Sequence, residues 1–340
     1  MRPYEADVAL DLPRIRQLSV GMKAYAEELA ARLPRVAPDL RFTTVVRTSG
    51  AGLEEQLAVP FRLRAERARL YHFLSVYAPL FGPRPSVITI HDLIHLRFPH
   101  YFKKTVGPYY ATIVRGVCAR AARVITDDER TVSDLERFLR VPRNKVVVVP
   151  LGVDDAFCID AAPAAEPRPY FLYVGNHREH KDLVTLFAAW RALDPALPVD
   201  LLLTGEDDVP AALPRPRRER GELRFLGTVE RARLASLYAG AVALVHPALC
   251  EGFGLSMLEA AAVGAAVIAC EDAVPAVLRR YVDVFTARDV RGLTELMAGA
   301  LAGPRARDDA RRFARTLTWD RCAERTAEVY RSVLEESQPG

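Results

Sequence analysis

Short apolar runs alternate with longer amphipathic stretches along most of the chain. In the first half, Val8–Leu12, Phe42–Val46, Val87–Ile90, Val124–Thr126 and Val146–Val149 read as strands. Between them, Met22–Leu33, Arg64–Leu70, Tyr109–Ala122 and Val132–Leu139 carry helical spacing. The alternation stops at residues 150–169, PLGVDDAFCIDAAPAAEPRP, where four prolines leave no apolar period. It resumes with Tyr170–Val174, Leu183–Leu193, Val199–Thr204, Leu223–Leu226, Arg231–Ala239, Ala243–His246, Leu255–Ala262 and Ala266–Ala269. Strand–helix alternation predicts parallel sheets with helices on both faces. The expected organisation is therefore an α/β chain of two units, residues 1–150 and 170–319, joined by a linker at 151–169.

Composition narrows this picture. A chain of 340 residues suits two domains. Its 47 basic and 43 acidic residues give a net charge of +4, which is no nucleic-acid signature. The five cysteines are scattered and form no Cys-x-x-Cys pair, which argues against a disulfide framework or structural zinc and suits a reducing compartment. No apolar run is long enough to span a bilayer, and the start MRPYEADVALDL has no signal-peptide core. The expected location is cytoplasmic.

Ligands of open parallel sheets bind beyond the carboxyl ends of strands, so the loops after strands are where chemistry is expected. HPALCEGFGLSMLEAAAVG (residues 246–264) follows one such strand. Gly252 and Gly254 permit a tight turn and close backbone approach. A helix opening at Leu255 and Ser256 offers free N–H groups to a diphosphate. Glu251 sits at the mouth, and Glu259, inside the helix, suits two ribose hydroxyls. Gly264 is a plausible end of that helix. In LYVGNHREHKDL (172–183), Gly175 ends a strand and Arg178 and Lys181 are within reach of a phosphate pair. In ITIHDLIHLRFP (88–99), His91 and Asp92 stand at a strand end. Asp127 and Asp128 read as helix caps. Pro210–Glu222 reads as an exposed basic loop. Residues 60–82 and 101–123 mix basic and aromatic side chains and suit an anionic lipid surface.

EGFGLSMLEA, with seven residues between Glu251 and Glu259, resembles the signature of the retaining glycosyltransferases of family 4 (glycosyl transferases group 1), in a bacterial mannosyltransferase-like form. The resemblance implies the GT-B fold, two Rossmann-like domains facing a central cleft. The first would serve the acceptor, the second would hold the donor, and the last helix, residues 320–340, would cross back to the first. It implies transfer of a hexose from a GDP- or UDP-sugar to a saccharide or lipid-linked glycan, with retained configuration, no metal and no bound cofactor. Likeness of the ITIHDLIHLRFP region to mannosyltransferase members suggests GDP-mannose. On the same basis Glu251 and His91 would orient the sugar, and Lys181 would hold the diphosphate. Gly21, Gly175, Asn176, Arg178, Val229, Gly252, Phe253, Gly254, Leu255 and Glu259 would complete the donor site. Peripheral contact with the inner membrane face is a further expectation, and no nucleic-acid partner is expected. The chain departs from the family at Lys23, Asp128 and Asn176. Those departures leave room for a non-catalytic sugar-nucleotide-binding subunit, and the fold also serves nucleotide-sugar epimerases and sugar phosphorylases.

Overall fold

The computed structural model describes residues 4–13, 18–48, 52–209, 213, 215–303 and 307–337. Along the chain run β1 (Ala6–Pro13), α1 (Val20–Val36), β2 (Phe42–Arg47), α2 (Leu53–Ala65), β3 (Ala68–Phe73), β4 (Ser86–Thr89), α3 (Ile94–Arg97), α4 (Val106–Tyr109), α5 (Arg115–Arg120), β5 (Arg123–Thr126), α6 (Glu129–Leu139) and β6 (Val146–Val148). There follow β7 (Tyr170–Tyr173), α7 (Leu183–Ala192), β8 (Asp200–Leu203), β9 (Leu223–Phe225), α8 (Arg231–Gly240), β10 (Ala243–His246), α9 (Leu255–Val263), β11 (Val267–Cys270), β12 (Asp283–Phe285), α10 (Val290–Ala302), α11 (Asp308–Ala314) and α12 (Trp319–Glu336). They form two compact units, residues 1–152 with 318–340, and residues 153–317.

Each unit is built on one six-stranded parallel sheet. The first has the order β2-β1-β3-β4-β5-β6 and the second β12-β11-β10-β7-β8-β9. Strands covered on both faces read as continuous apolar runs. Phe171, Leu201, Val245 and Ile268 accordingly join Trp190 and Met297 in the second core, and Ala9, Phe73, Ile88 and Val124 join Leu63 and Leu135 in the first.

The helix expected over Arg64–Leu70 is not there. α2 ends at Ala65, Arg67 takes a left-handed turn (φ 49°), and Ala68–Phe73 becomes β3. This strand lies between β1 and β4, and every residue but Arg69 is buried, so its apolar run is that of a central strand rather than of an amphipathic helix. From Val153 onward, the proline-rich stretch expected as a linker lies on the second unit. Phe157 meets Tyr238 edge-on at 5.8 Å, the Ala164 N–H donates to the Ser236 carbonyl, and Asp154 pairs with Arg231 at 2.7 Å. Part of the expected basic loop, Pro210–Ala212 and Pro214, lies outside the described residues. Within the rest of it, Arg215 pairs with Asp207, and Arg218 donates to the carbonyls of Trp190, Leu193, Asp194 and Leu197.

α12 lies in the first unit, against α1. Its buried face carries Trp319, Cys322, Ala323, Thr326, Val329, Tyr330 and Val333, and Asp320 pairs with Arg32 at 2.8 Å and Arg35 at 2.5 Å. Thr318 caps its start by accepting from the Arg321 N–H. Gly152 seats that start: a Cβ on it would stand 2.1 Å from the Trp319 backbone nitrogen. Backbone cannot yield as a flexible side-chain end does. Gly152→Ala is therefore expected to destabilise the protein by at least about 1–3 kcal/mol, seen as a lower urea midpoint by circular dichroism. An unchanged midpoint would contradict this packing.

Candidate functional site

The second unit starts in the middle of its sheet. β7 is followed on one side by β8 and β9, and the chain then returns to β7's other side for β10, β11 and β12. The connections leaving β7 and β10 thus diverge, the arrangement beyond whose carboxyl ends open α/β sheets bind their ligands. Lys181 arrives on the loop after β7, and Glu251 on the loop after β10. Topology alone brings together two residues 70 positions apart.

The Lys181 ammonium donates to Glu251 Oε2. His246, the last residue of β10, sets its Nε2 3.2 Å from the same oxygen, and its Nδ1 lies 3.4 Å from the Ser256 hydroxyl in the first turn of α9. Lys181 and His246 are both buried. Burial pushes the Glu251 carboxyl up, but the Lys181 and His246 side chains outweigh it and hold the carboxyl well below its ordinary range. Beside this cluster Gly254 adopts φ 71° and starts α9 with no side-chain cap. The positive end of that helix is left to whatever anion approaches it.

Gly252 and Phe253 are buried in the turn, and Leu255, half-buried, begins α9. Glu259 accepts the Tyr238 hydroxyl at 3.0 Å rather than joining the Lys181 cluster. Burial pushes its carboxyl up to about 7. Gly175 has φ 156°, and a Cβ there would crowd the Tyr173 hydroxyl at 2.9 Å. Asn176 and Arg178 are exposed, and the Asn176 amide oxygen accepts from the Arg178 N–H at 3.3 Å. Val229, half-buried, lies just ahead of α8. Sequence reasoning missed His246 and also His177. The buried His177 ring sets Nδ1 2.5 Å from Asp208 and Nε2 2.9 Å from the Thr204 carbonyl, which ties the β7 loop to the β8 loop.

The first unit carries the other predicted residues. Gly21 lies in the first turn of α1, which Ser19 caps by accepting from the Met22 N–H. His91 follows β4, and its Nδ1 lies 2.6 Å from Asp127 Oδ2. The paired expectation for Asp127 and Asp128 therefore splits. Asp128 caps α6 by accepting from the Arg130 N–H at 3.0 Å, while Asp127, one residue earlier, turns inward to His91.

Residues 168–302 match the family described as Glycosyl transferases group 1, and residues 21–157 match Glycosyltransferase Family 4. The chain is 27% identical over 296 residues to O-antigen chain mannosyltransferase B of Escherichia coli, covering 79% of this chain and 76% of that one. It is 34% identical over 149 residues to the phosphatidyl-myo-inositol mannosyltransferase of Mycolicibacterium smegmatis, covering 41% and 38%. Among solved structures it resembles Anabaena HepE in complex with UDP-glucose, with a TM-score of 0.73 and 14% identity over 96% of this chain and 99% of that one. A Rickettsia africae glycosyltransferase aligns with a TM-score of 0.70 and 13% identity over 98% and 100%.

Glu259 yields a test of the site's electrostatics. Unfolded, it titrates near its ordinary value of 4.5; folded, near 7. Ionisation thus costs the native state stability as pH rises through that window. Glu259→Gln, which can still accept from Tyr238, is expected to gain urea stability relative to the parent between about pH 4.5 and 7, by a few kcal/mol at most. The gain should stay level above that range. A difference independent of pH would show that Glu259 is not held in a desolvated setting.

Proposed function

Because this chain is a glycosyltransferase of GT-B architecture, we propose that it moves a hexose from a nucleotide-sugar to a saccharide or lipid-linked glycan with retention of configuration. The donor we favour is GDP-mannose. The mannosyltransferase relatives support that choice, whereas no named relative speaks for an epimerase, a phosphorylase or a non-catalytic subunit. The observation that carries the reading is the Lys181–Glu251–His246 cluster beside the uncapped start of α9.

The reaction breaks the bond between the anomeric carbon and the diphosphate and forms one to the acceptor oxygen on the same face. Negative charge grows on the leaving diphosphate. Lys181 and the α9 N–H groups are fixed before the reaction, so they stabilise that charge without reorganising. No metal is needed in this scheme. Glu251, released in part from Lys181 when the phosphates bind, accepts from sugar hydroxyls. Glu259 holds the ribose, and His91 orients a sugar hydroxyl. Gly175, Asn176, Arg178 and Val229 border the nucleotide.

A ligand that binds only the native state raises the melting temperature by mass action. Across UDP-, GDP- and ADP-sugars, GDP-mannose is expected to give the largest rise, and no rise with any of them would remove the donor assignment. Glu251→Ala should keep that rise and lose about 10²–10³-fold in turnover. Unchanged turnover would end the role given to Glu251.

We also propose peripheral contact with an anionic membrane through α2. Much of the basic-aromatic stretch expected there is core, Leu63, Tyr71 and Phe73 included. α2 instead exposes Leu53 (79% exposed), Leu57 (63%) and Phe61 (74%), one turn apart, with Arg62 and Arg64 beside them. Among the described residues no helix is long and apolar enough to cross a membrane. Flotation with anionic vesicles at low salt should carry the protein, and Leu57→Glu with Phe61→Glu should abolish this. No flotation of the parent would exclude the contact.

A further inference from the structure

His91 is positioned by more than its own strand. It follows β4, and Asp127 follows β5, the neighbouring strand, in register with it. That register sets the Asp127 carboxylate 2.6 Å from His91 Nδ1, with the ring 7% and the aspartate 1% exposed. The ring and its backbone are held from two more directions. The Tyr25 ring of α1 stands T-shaped to the His91 ring at 4.6 Å and 86°, and the Thr131 hydroxyl of α6 donates to the His91 carbonyl at 3.3 Å. Two polar atoms of this pair, His91 Nε2 and Asp127 Oδ1, are buried without a hydrogen-bond partner. Buried polar atoms are rarely left so, and each calls for an explanation.

We propose that Asp127 is a positioning residue for the sugar-orienting histidine: it accepts a hydrogen bond from Nδ1–H, fixes the tautomer, and reserves Nε2 as the one ring atom left for a hydroxyl of the bound sugar. This rests on the role given above to His91. A carboxylate that binds one ring nitrogen decides what the other can offer. With Nδ1–H held by Asp127, the neutral ring presents Nε2 as an acceptor and the cation presents it as a donor. In neither form can the ring turn over without losing the Asp127 bond.

The surroundings say which of the nearby groups can titrate. Burial disfavours the His91 cation, yet the Asp127 charge outweighs burial, with Asp92 adding to it, so His91 binds its proton more firmly than a free histidine. His72 of β3, the other imidazole nearby, bonds Thr89 and Tyr330 at 2.8 and 2.6 Å, and burial and the His91 charge push it down to about 3. Tyr25 of α1 and Cys322 of α12 are pushed up by burial and stay protonated. Asp128 faces Asp127 and is occupied by Arg130. Burial likewise pushes the Asp127 carboxyl up, against the pull of the His91 charge, so His91 and Asp127 share their proton as a coupled pair.

The test uses the full-length protein with ¹⁵N-labelled histidine, and His91→Gln assigns the resonance. Asp127→Asn keeps the shape and removes the charge, so the His91 midpoint should fall by about one pH unit or more, and its neutral tautomer should become mixed. GDP release from GDP-mannose, followed against pH, should show its His91-dependent limb moved to lower pH by the same interval. Asp128→Ala, which removes a cap, should lower the melting temperature and leave both midpoint and limb in place. An Asp127→Asn protein whose His91 midpoint and tautomer match the parent would overturn the proposal, whatever its activity. Failure of the underlying reading looks different: the midpoint falls as expected, but His91→Gln releases GDP as fast as the parent. If no variant nor the parent releases GDP, the donor assignment fails and the resonance still decides the role of Asp127.

Discussion

A buried ammonium and the half-buried carboxylate beside it need each other. Alone, either would pay heavily in desolvation; together, with an imidazole on the same oxygen, they form a charged cluster at the carboxyl ends of β7 and β10. Everything else in the second unit follows from keeping those two strands adjacent. The sheet must begin at β7 and return to β10, the β10 turn must be tight enough to swing Glu251 back over β7, and α9 must start immediately after it. Gly254, with φ 71°, is the backbone cost of that swing.

The same arrangement explains why Lys181 is suited to a transient anion. Its partner is one carboxylate already shared with His246, so an incoming diphosphate with more charge competes on favourable terms. The cluster is a held charge rather than a permanent bond. The uncapped helix start supplies fixed dipoles beside it, and these need not move at all.

Local signals were legible in the sequence, and non-local ones were not. The Glu251 turn and its helix could be read because glycines, carboxylate and helix start lie within one short segment. Most central strands were found from their apolar runs. β3 reads as a helix because a doubly buried strand has no period to distinguish it from one, and the break comes at Arg67, a residue with no turn preference to announce it. β12, three residues opening on Asp283, and the short α11 offer no long apolar run, whereas α10 carries Leu293, Leu296, Met297 and Leu301 at helical spacing, a local signal open to reading. Asp127 was grouped with Asp128 because the two are neighbours in sequence. What separates them is the pairing of β4 with β5, which sends one toward His91 and the other toward the α6 backbone. His177 meets Asp208 and the Thr204 carbonyl only once β7 is paired with β8, so no spacing rule would have marked it, whereas His246 lies five residues before Glu251 and was within reach of a local reading.

α12 has a consequence for how the protein is made. The helix packs against α1 and gives Tyr330 to His72, yet all of residues 153–317 must be synthesised before it exists. While the second unit is emerging, the first holds an uncovered apolar face and a buried imidazole lacking its phenol partner. The second unit has no such debt, since its strands and helices lie in one uninterrupted stretch. During vectorial synthesis, the half that is translated second is thus the one able to finish first, and the nascent first half is the stretch most in need of shielding by chaperones.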